Sequence, residues 1–142
     1  MSGRWFPDSV PSPSATERTK PFWDAAREHR LVVLRCASCG EFRHPPRPIC
    51  PYCASFDATW TDVAGTGTVF TFSVVYQPFH PSFKEVLPYV IAHVELDGTG
   101  GTRILSNIVD IDPEAVVVGL PVEVVFEDMS AELSVPRFRP RR

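Results

Sequence analysis

Residues 36–53 read CASCGEFRHPPRPICPYC and hold all four cysteines of the chain. They fall into two identical C-x-x-C pairs, Cys36/Cys39 and Cys50/Cys53. Each C-x-x-C turn aims two sulfurs at one point. Two such turns closed against each other make a tetrahedral four-sulfur site that suits Zn2+. Two disulfides are disfavoured by the close spacing. A thioredoxin-like redox pair would want one C-x-x-C opening a helix in a βαβ unit, and Pro51 and Tyr52 give no sign of that. Four thiolates also leave no open position for a water, so the expected role of the ion is structural. A segment of about 18 residues cannot bury enough apolar surface to fold alone, and the metal supplies the missing stability.

Working outward, the insert EFRHPPRPI (41–49) is rich in Pro and reads as stiff and turn-like, with Gly40 fitting a tight knuckle. LVVLR (31–35) is a strand entering the first knuckle, and ATWTDV (58–63) one leaving the second. Upstream, TKPFWDAAREH (19–29) reads as a short helix, with Pro21 in its first turn. Residues 1–18, with three Pro and four Ser, read as a mobile tail.

Downstream lies GTGTVFTFSVVY (65–76), where Phe70, Phe72, Val74 and Tyr76 alternate with Val69, Thr71, Ser73 and Val75. PYVIAHVELD (88–97) puts Val90, Ala92, Val94 and Leu96 on one face. TRILSNIVD (102–110) is a third strand, and VVGLPVEVVFED (117–128) holds a fourth, with Val122, Val124 and Phe126 aligned. LSVPRF (133–138) is a short fifth whose Pro136 suits an edge or an end. The expected fold is therefore mainly β: a short N-terminal helix, a four-cysteine zinc ribbon, then a five-stranded OB-type antiparallel barrel. Gly65 and Gly67 fit the sharp bend that a small barrel demands of its long strand. The expected boundaries are a tail over 1–18, helix and ribbon over 19–63, and an OB-fold domain with a basic C-terminal tail over 64–142.

Charge narrows the partners. Residues 65–136 carry two Lys/Arg and ten Asp/Glu, a net of −8. A single-strand nucleic-acid binder, the alternative reading for an OB barrel, needs the opposite balance. No apolar run approaches the roughly 20 residues that cross a bilayer. The first residues lack a signal-type apolar core, which with the clustered thiols points to the cytoplasm.

No G-x-S-x-G occurs, and His29, His44, His80 and His93 are scattered, so no catalytic residue is assigned. His93 falls on the outer face of its strand. The long loop YQPFHPSFKEVLP (76–88) offers Phe79, His80 and Phe83 as a contact surface. A catalytic role for His80 or Glu85 is a minor alternative. Phe22 and Trp23 on the short helix either pack internally or dock on a partner. Arg43 and Arg47 make a candidate anion site. Arg137, Arg139, Arg141 and Arg142 end the chain as a solvated tail or a second anion site.

The order of an FW helix, LVVLRC-x-x-CG, PPRPICPYC, TGTVFTFSVV, a P-Y-V-I-A-x-V-E-L strand and a late VGLPVEV strand resembles the DUF35 family over roughly residues 20–140. The resemblance implies an N-terminal helix, a rubredoxin-like zinc ribbon and an OB fold. Cys36, Cys39, Cys50 and Cys53 match the family's zinc ligands, and Phe22 and Trp23 its helix. Several members are non-catalytic partners of thiolase-superfamily enzymes, among them small subunits of archaeal thiolase complexes, of a phloroglucinol acyltransferase and of steroid side-chain aldolases. By that likeness, the chain is an accessory subunit of a thiolase-like (SCP2-thiolase/aldolase type) lyase or acyltransferase. It would sit in a hetero-oligomer such as α2β2 and help shape a site for a shared acyl-CoA in steroid or lipid breakdown.

Overall fold

The structure is a computed structural model and describes residues 4–142. Its helix, α1 (Lys20–Arg27), carries Pro21 in its first turn, where the missing N–H costs nothing. Phe22, Ala25 and Ala26, spaced i, i+3, i+4, form its buried face. Asp24 braces the outer face, taking Lys20 at 2.6 Å and Arg27 at 3.0 Å.

The ribbon is a small antiparallel sheet in the order β2-β1-β3, from β1 (Val32–Cys36), β2 (Phe42–Arg43) and β3 (Ala58–Asp62). The insert expected to be wholly turn-like starts as a strand, with Leu34 opposite Arg43 and Arg35 opposite Phe42. Val32 and Val33 anchor this sheet to the core, and Val33 is fully buried.

The remaining strands are β4 (Thr66–Val75), β5 (Tyr89–Leu96), β6 (Arg103–Ile108), β7 (Pro121–Asp128) and β8 (Ser134–Pro140). They close a barrel in the order β4-β5-β6-β8-β7. Four of its junctions are antiparallel, but β6 meets β8 in parallel at Ile108 and Phe138. Closure is tight where β4 leaves β7 for β5. A Cβ on Gly67 would lie 2.3 Å from the Glu95 carbonyl oxygen, so only glycine lets the backbones approach. Val69, Val90, Val94, Val122 and Phe138 fill the interior, each at most 1 % exposed. Full burial of such side chains contributes about 1.5–3 kcal/mol apiece.

Three expectations change. The alternation along β4 breaks at a bulge between Val69 and Thr71. Val69 faces inward, Phe72 and Val74 pack on the core, and Phe70 turns out to 43 % exposure. Pro136 does not end β8, which runs on to Pro140, because the strand's full ladder is with β7 and its contact with β6 is a single pair. The basic end is therefore largely barrel wall: Arg137 bonds buried Glu127 at 2.8 Å and Arg139 bonds Glu123 at 2.8 Å.

The N-terminal segment is likewise not a free tail over Arg4–Val10. Phe6 and Val10 are buried, and the Trp5 indole N–H donates to Asp110 at 2.8 Å. The backbone amides of Trp5 and Phe6 both donate to Glu127 Oε2. This strap sits over Glu127 on the outer face of β7, which explains why Glu127 is buried as completely as inward-facing Val122.

Candidate metal centre and flanking surfaces

The two knuckles are built alike. In each, the residue after the second cysteine adopts a left-handed backbone, Gly40 at φ 79° and Ala54 at φ 64°. Each of those residues then donates its N–H to the carbonyl of the first cysteine, at 3.1 Å for Gly40 and 2.9 Å for Ala54. Gly40 signals this turn in the sequence. Ala54 gives no such signal, and its Cβ is held there at some strain. A hydrogen bond from Ser38 to Ser55 at 2.9 Å ties the knuckles together.

The four sulfurs lie within 4.8 Å of one another, and the cysteines are free thiols. The closest pairs, Cys36 with Cys53 and Cys39 with Cys50, are each 3.6 Å apart. Sulfurs bound about 2.3 Å from one tetrahedral zinc would stand roughly 3.8 Å apart. The donor set and its spacing thus fit Zn2+, held by Cys36, Cys39, Cys50 and Cys53. The amides of Cys39 and Tyr52 point at Cys36 and Cys50 Sγ at 3.5 and 3.4 Å, which favours thiolate at both.

Titration follows the same geometry. The Cys39 amide is the main influence that lowers Cys36 to about 6. Desolvation works against the charged form of Cys50, but the amides of Tyr52 and Cys53 outweigh it and hold that thiol low too. Their partners go the other way. Despite a backbone hydrogen bond at Glu41, desolvation and the Cys50 sulfur push Cys39 up to about 12. Despite a backbone hydrogen bond at Ser55, the Cys36 sulfur and desolvation raise Cys53. In each close pair one thiol is shifted down and its partner up, the pattern expected when two sulfurs compete for negative charge at one point, and a bound divalent ion relieves that competition.

The remaining candidates scatter. Phe22 is 8 % exposed and packs in the core beside Leu31 and Val33, with one edge on the wall of the groove that Trp23 also lines. Trp23 stacks edge-on against Phe22 at 5.1 Å and is only half-buried. Trp23 and Phe83 line one apolar groove of about 510 Å³ together with Phe6 and Tyr89. Phe79 stands 81 % exposed. His80 caps the short 3-10 turn Pro81–Val86, accepting from the Ser82 amide. Arg43 is buried and donates from Nε to the Arg47 carbonyl at 2.8 Å, while Arg47 itself is exposed. Both line a second groove, of about 680 Å³, between ribbon and barrel. The Glu127–Arg137 pair and the strap on it are not evident from the sequence; the Trp5–Phe6 pair inside a Pro-rich stretch is the one hint of them.

Comparison with known proteins fits this architecture. Residues 23–58 match the rubredoxin-like zinc ribbon domain of ChsH2, and residues 60–127 match its C-terminal OB-fold domain. A "DUF35 domain-containing scaffold protein" of Methanothermobacter thermautotrophicus is 34 % identical over 82 % of this chain and 86 % of its own length. The chain belongs to the DUF35 family.

A solved chain of the "Ltp2-ChsH2(DUF35) aldolase" superposes on this DUF35 protein with a TM-score of 0.80 and 43 % identity, covering 91 % of this chain and 98 % of that one. A "Probable enoyl-CoA hydratase alpha subunit" of Thermomonospora curvata is 46 % identical over 89 % of the DUF35 chain but only 39 % of its own length. The DUF35 chain thus spans about two fifths of that relative.

Proposed function

We propose that this chain is a non-catalytic accessory subunit that binds and stabilises a thiolase-like acyl-CoA enzyme, an aldolase performing retro-aldol C–C cleavage. The observation that carries this reading is the likeness, over nearly the whole of both chains, to the DUF35 chain of the Ltp2-ChsH2(DUF35) aldolase. The metal centre fits the role, since a four-thiolate site braces the ribbon and leaves no coordination position for substrate. Internal pairing of Arg137 and Arg139 with Glu127 and Glu123 removes the basic stripe that a nucleic-acid binder needs.

The finer parts of the proposal are a substrate class of steroid or lipid side-chain acyl-CoA, shared between the subunits, an α2β2 assembly and a cytoplasmic site. Contact with the partner runs through Phe79, His80 and Phe83 on the loop after β4 and through Phe22 and Trp23 on α1. Co-expression with a thiolase-like protein of the aldolase type tests this. Co-elution, and retro-aldol cleavage by the pair but by neither subunit alone, is the expected result. A chain that stays monomeric beside that protein, or that turns over an acyl-CoA unaided, overturns the proposal.

A further inference from the structure

The groove between ribbon and barrel has basic and aromatic groups on both walls. The ribbon supplies Arg43, Arg47 and Tyr52, and the barrel supplies Phe70, His93 and Arg103. None of its described lining residues is a carboxylate. Arg43 is only 6 % exposed, and its Nη1 is buried without a hydrogen-bond partner. An orphaned guanidinium donor is costly. The ribbon engages only one edge of the fork, through Nε to the Arg47 carbonyl at 2.8 Å, and leaves Nη1 unpaired. The bulge in β4 aims Phe70 outward, where the Arg103 guanidinium lies 3.5 Å from the ring centre. Arg103 also reaches Glu95 at 3.7 Å, so Arg43 and Arg47 are the less engaged cations. Across the groove, Tyr52 is 69 % exposed.

We infer that this groove binds a mononucleotide, its phosphate on Arg43 and Arg47 and its base against Phe70 and Tyr52. Guanidinium forks match phosphate oxygens, and exposed rings stack on bases. The groove's volume of about 680 Å³ is that of a small-ligand site. Its surroundings favour a short ligand over a strand. The two basic and ten acidic residues of 65–136 make the barrel repel a polyanion that runs beyond the groove. The inference stands apart from the partner reading, because it concerns the isolated chain.

Calorimetry on the zinc-loaded full chain at low salt tests it, with ADP, adenosine, inorganic pyrophosphate and a deoxythymidine oligomer as probes. ADP should bind with Kd below about 1 mM, and adenosine at least about tenfold more weakly. Pyrophosphate should compete with ADP. Arg47→Gln and Phe70→Thr should each weaken ADP about tenfold; Arg47→Gln should leave the melting temperature unchanged, and Phe70→Thr, which also removes the ring beside Arg103, should keep the circular-dichroism spectrum of the folded chain. Several results would overturn the inference. One is no heat with ADP up to about 5 mM. Others are equal binding of ADP and adenosine, or affinity untouched by both variants. Oligomer binding that tightens with length and falls steeply with salt would make the groove a nucleic-acid surface instead.

Discussion

Replacing Arg137 with Met should be among the most damaging single changes in the barrel. Glu127 has a fully buried side chain. Its Oε1 accepts from Arg137 Nε at 3.0 Å and Nη2 at 2.8 Å, while Oε2 accepts from the Phe6 amide at 2.7 Å and from the Trp5 amide. Arg137 also donates to Asn107 at 2.7 Å and lies 4.5 Å over the Phe6 ring. Without the guanidinium, a buried carboxylate keeps only two amide donors and a distant Arg4 at 3.8 Å. Removing one partner of such a pair costs about 3–5 kcal/mol. At about 2–4 °C per kcal/mol for a chain of this size, the midpoint should drop by roughly 6–20 °C. Glu127→Gln keeps an acceptor on one side only, and should cost less, about 1–3 kcal/mol. Thermal denaturation by circular dichroism, with zinc in excess, reads both values. In the double variant Glu127→Leu with Arg137→Met, the charge problem disappears but the Trp5 and Phe6 amides lose their acceptor. Those amides should then exchange with solvent although the barrel stays folded. If Arg137→Met melts within about 2 °C of the parent, or both amides stay protected in the double variant, the buried carboxylate is not what holds the strap.

Chelating the metal should unfold the ribbon while β4–β8 stay paired, and Cys39→Ser should lower zinc affinity sharply; competition with a chromophoric chelator measures the affinity and amide exchange maps the unfolding. Phe22→Ala should cost about 3–5 kcal/mol in denaturant melts, whereas Phe79→Ser, at a largely exposed ring, should leave the melt unchanged and weaken co-elution with the proposed thiolase-like partner. Gly67→Ala should fail to fold or lose the β4–β5 pairing, because its Cβ meets the Glu95 carbonyl; yield and circular dichroism report this. Desolvation holds His44 below its ordinary value of 6.5, so the unfolded chain binds the extra proton first. This part of the stability is present above about pH 6.5 and is lost as pH falls from there towards the folded value. Denaturant melts from about pH 7.5 to about pH 5.5 should show a shallower acid loss in His44→Phe than in the parent, with metal loss common to both.

Much of the architecture is local information and was legible from the chain alone. Paired C-x-x-C turns specify a four-sulfur clamp because each knuckle is closed by its own backbone. Period-two patterning specifies β5, where Val90, Ala92, Val94 and Leu96 do share the buried face. The resemblance to DUF35 proteins rests on such local motifs in sequence order.

What the chain did not reveal depends on which surfaces meet. Phe22 and Trp23 are adjacent aromatics of similar chemistry, yet Phe22 lands inside the core beside Leu31 and Val33 while Trp23 packs against it half-buried. Phe70 sits in an unbroken apolar alternation, yet barrel closure inserts a bulge that turns it outward. The terminal arginines look like a solvated basic tail until β8 places Arg137 beside Glu127, a residue that looks misplaced in its strand until the strap covers it. Hydrogen bonds between neighbours and side-chain periodicity are written along the chain. Burial and charge pairing between distant segments exist only after the barrel has closed and the strap has docked.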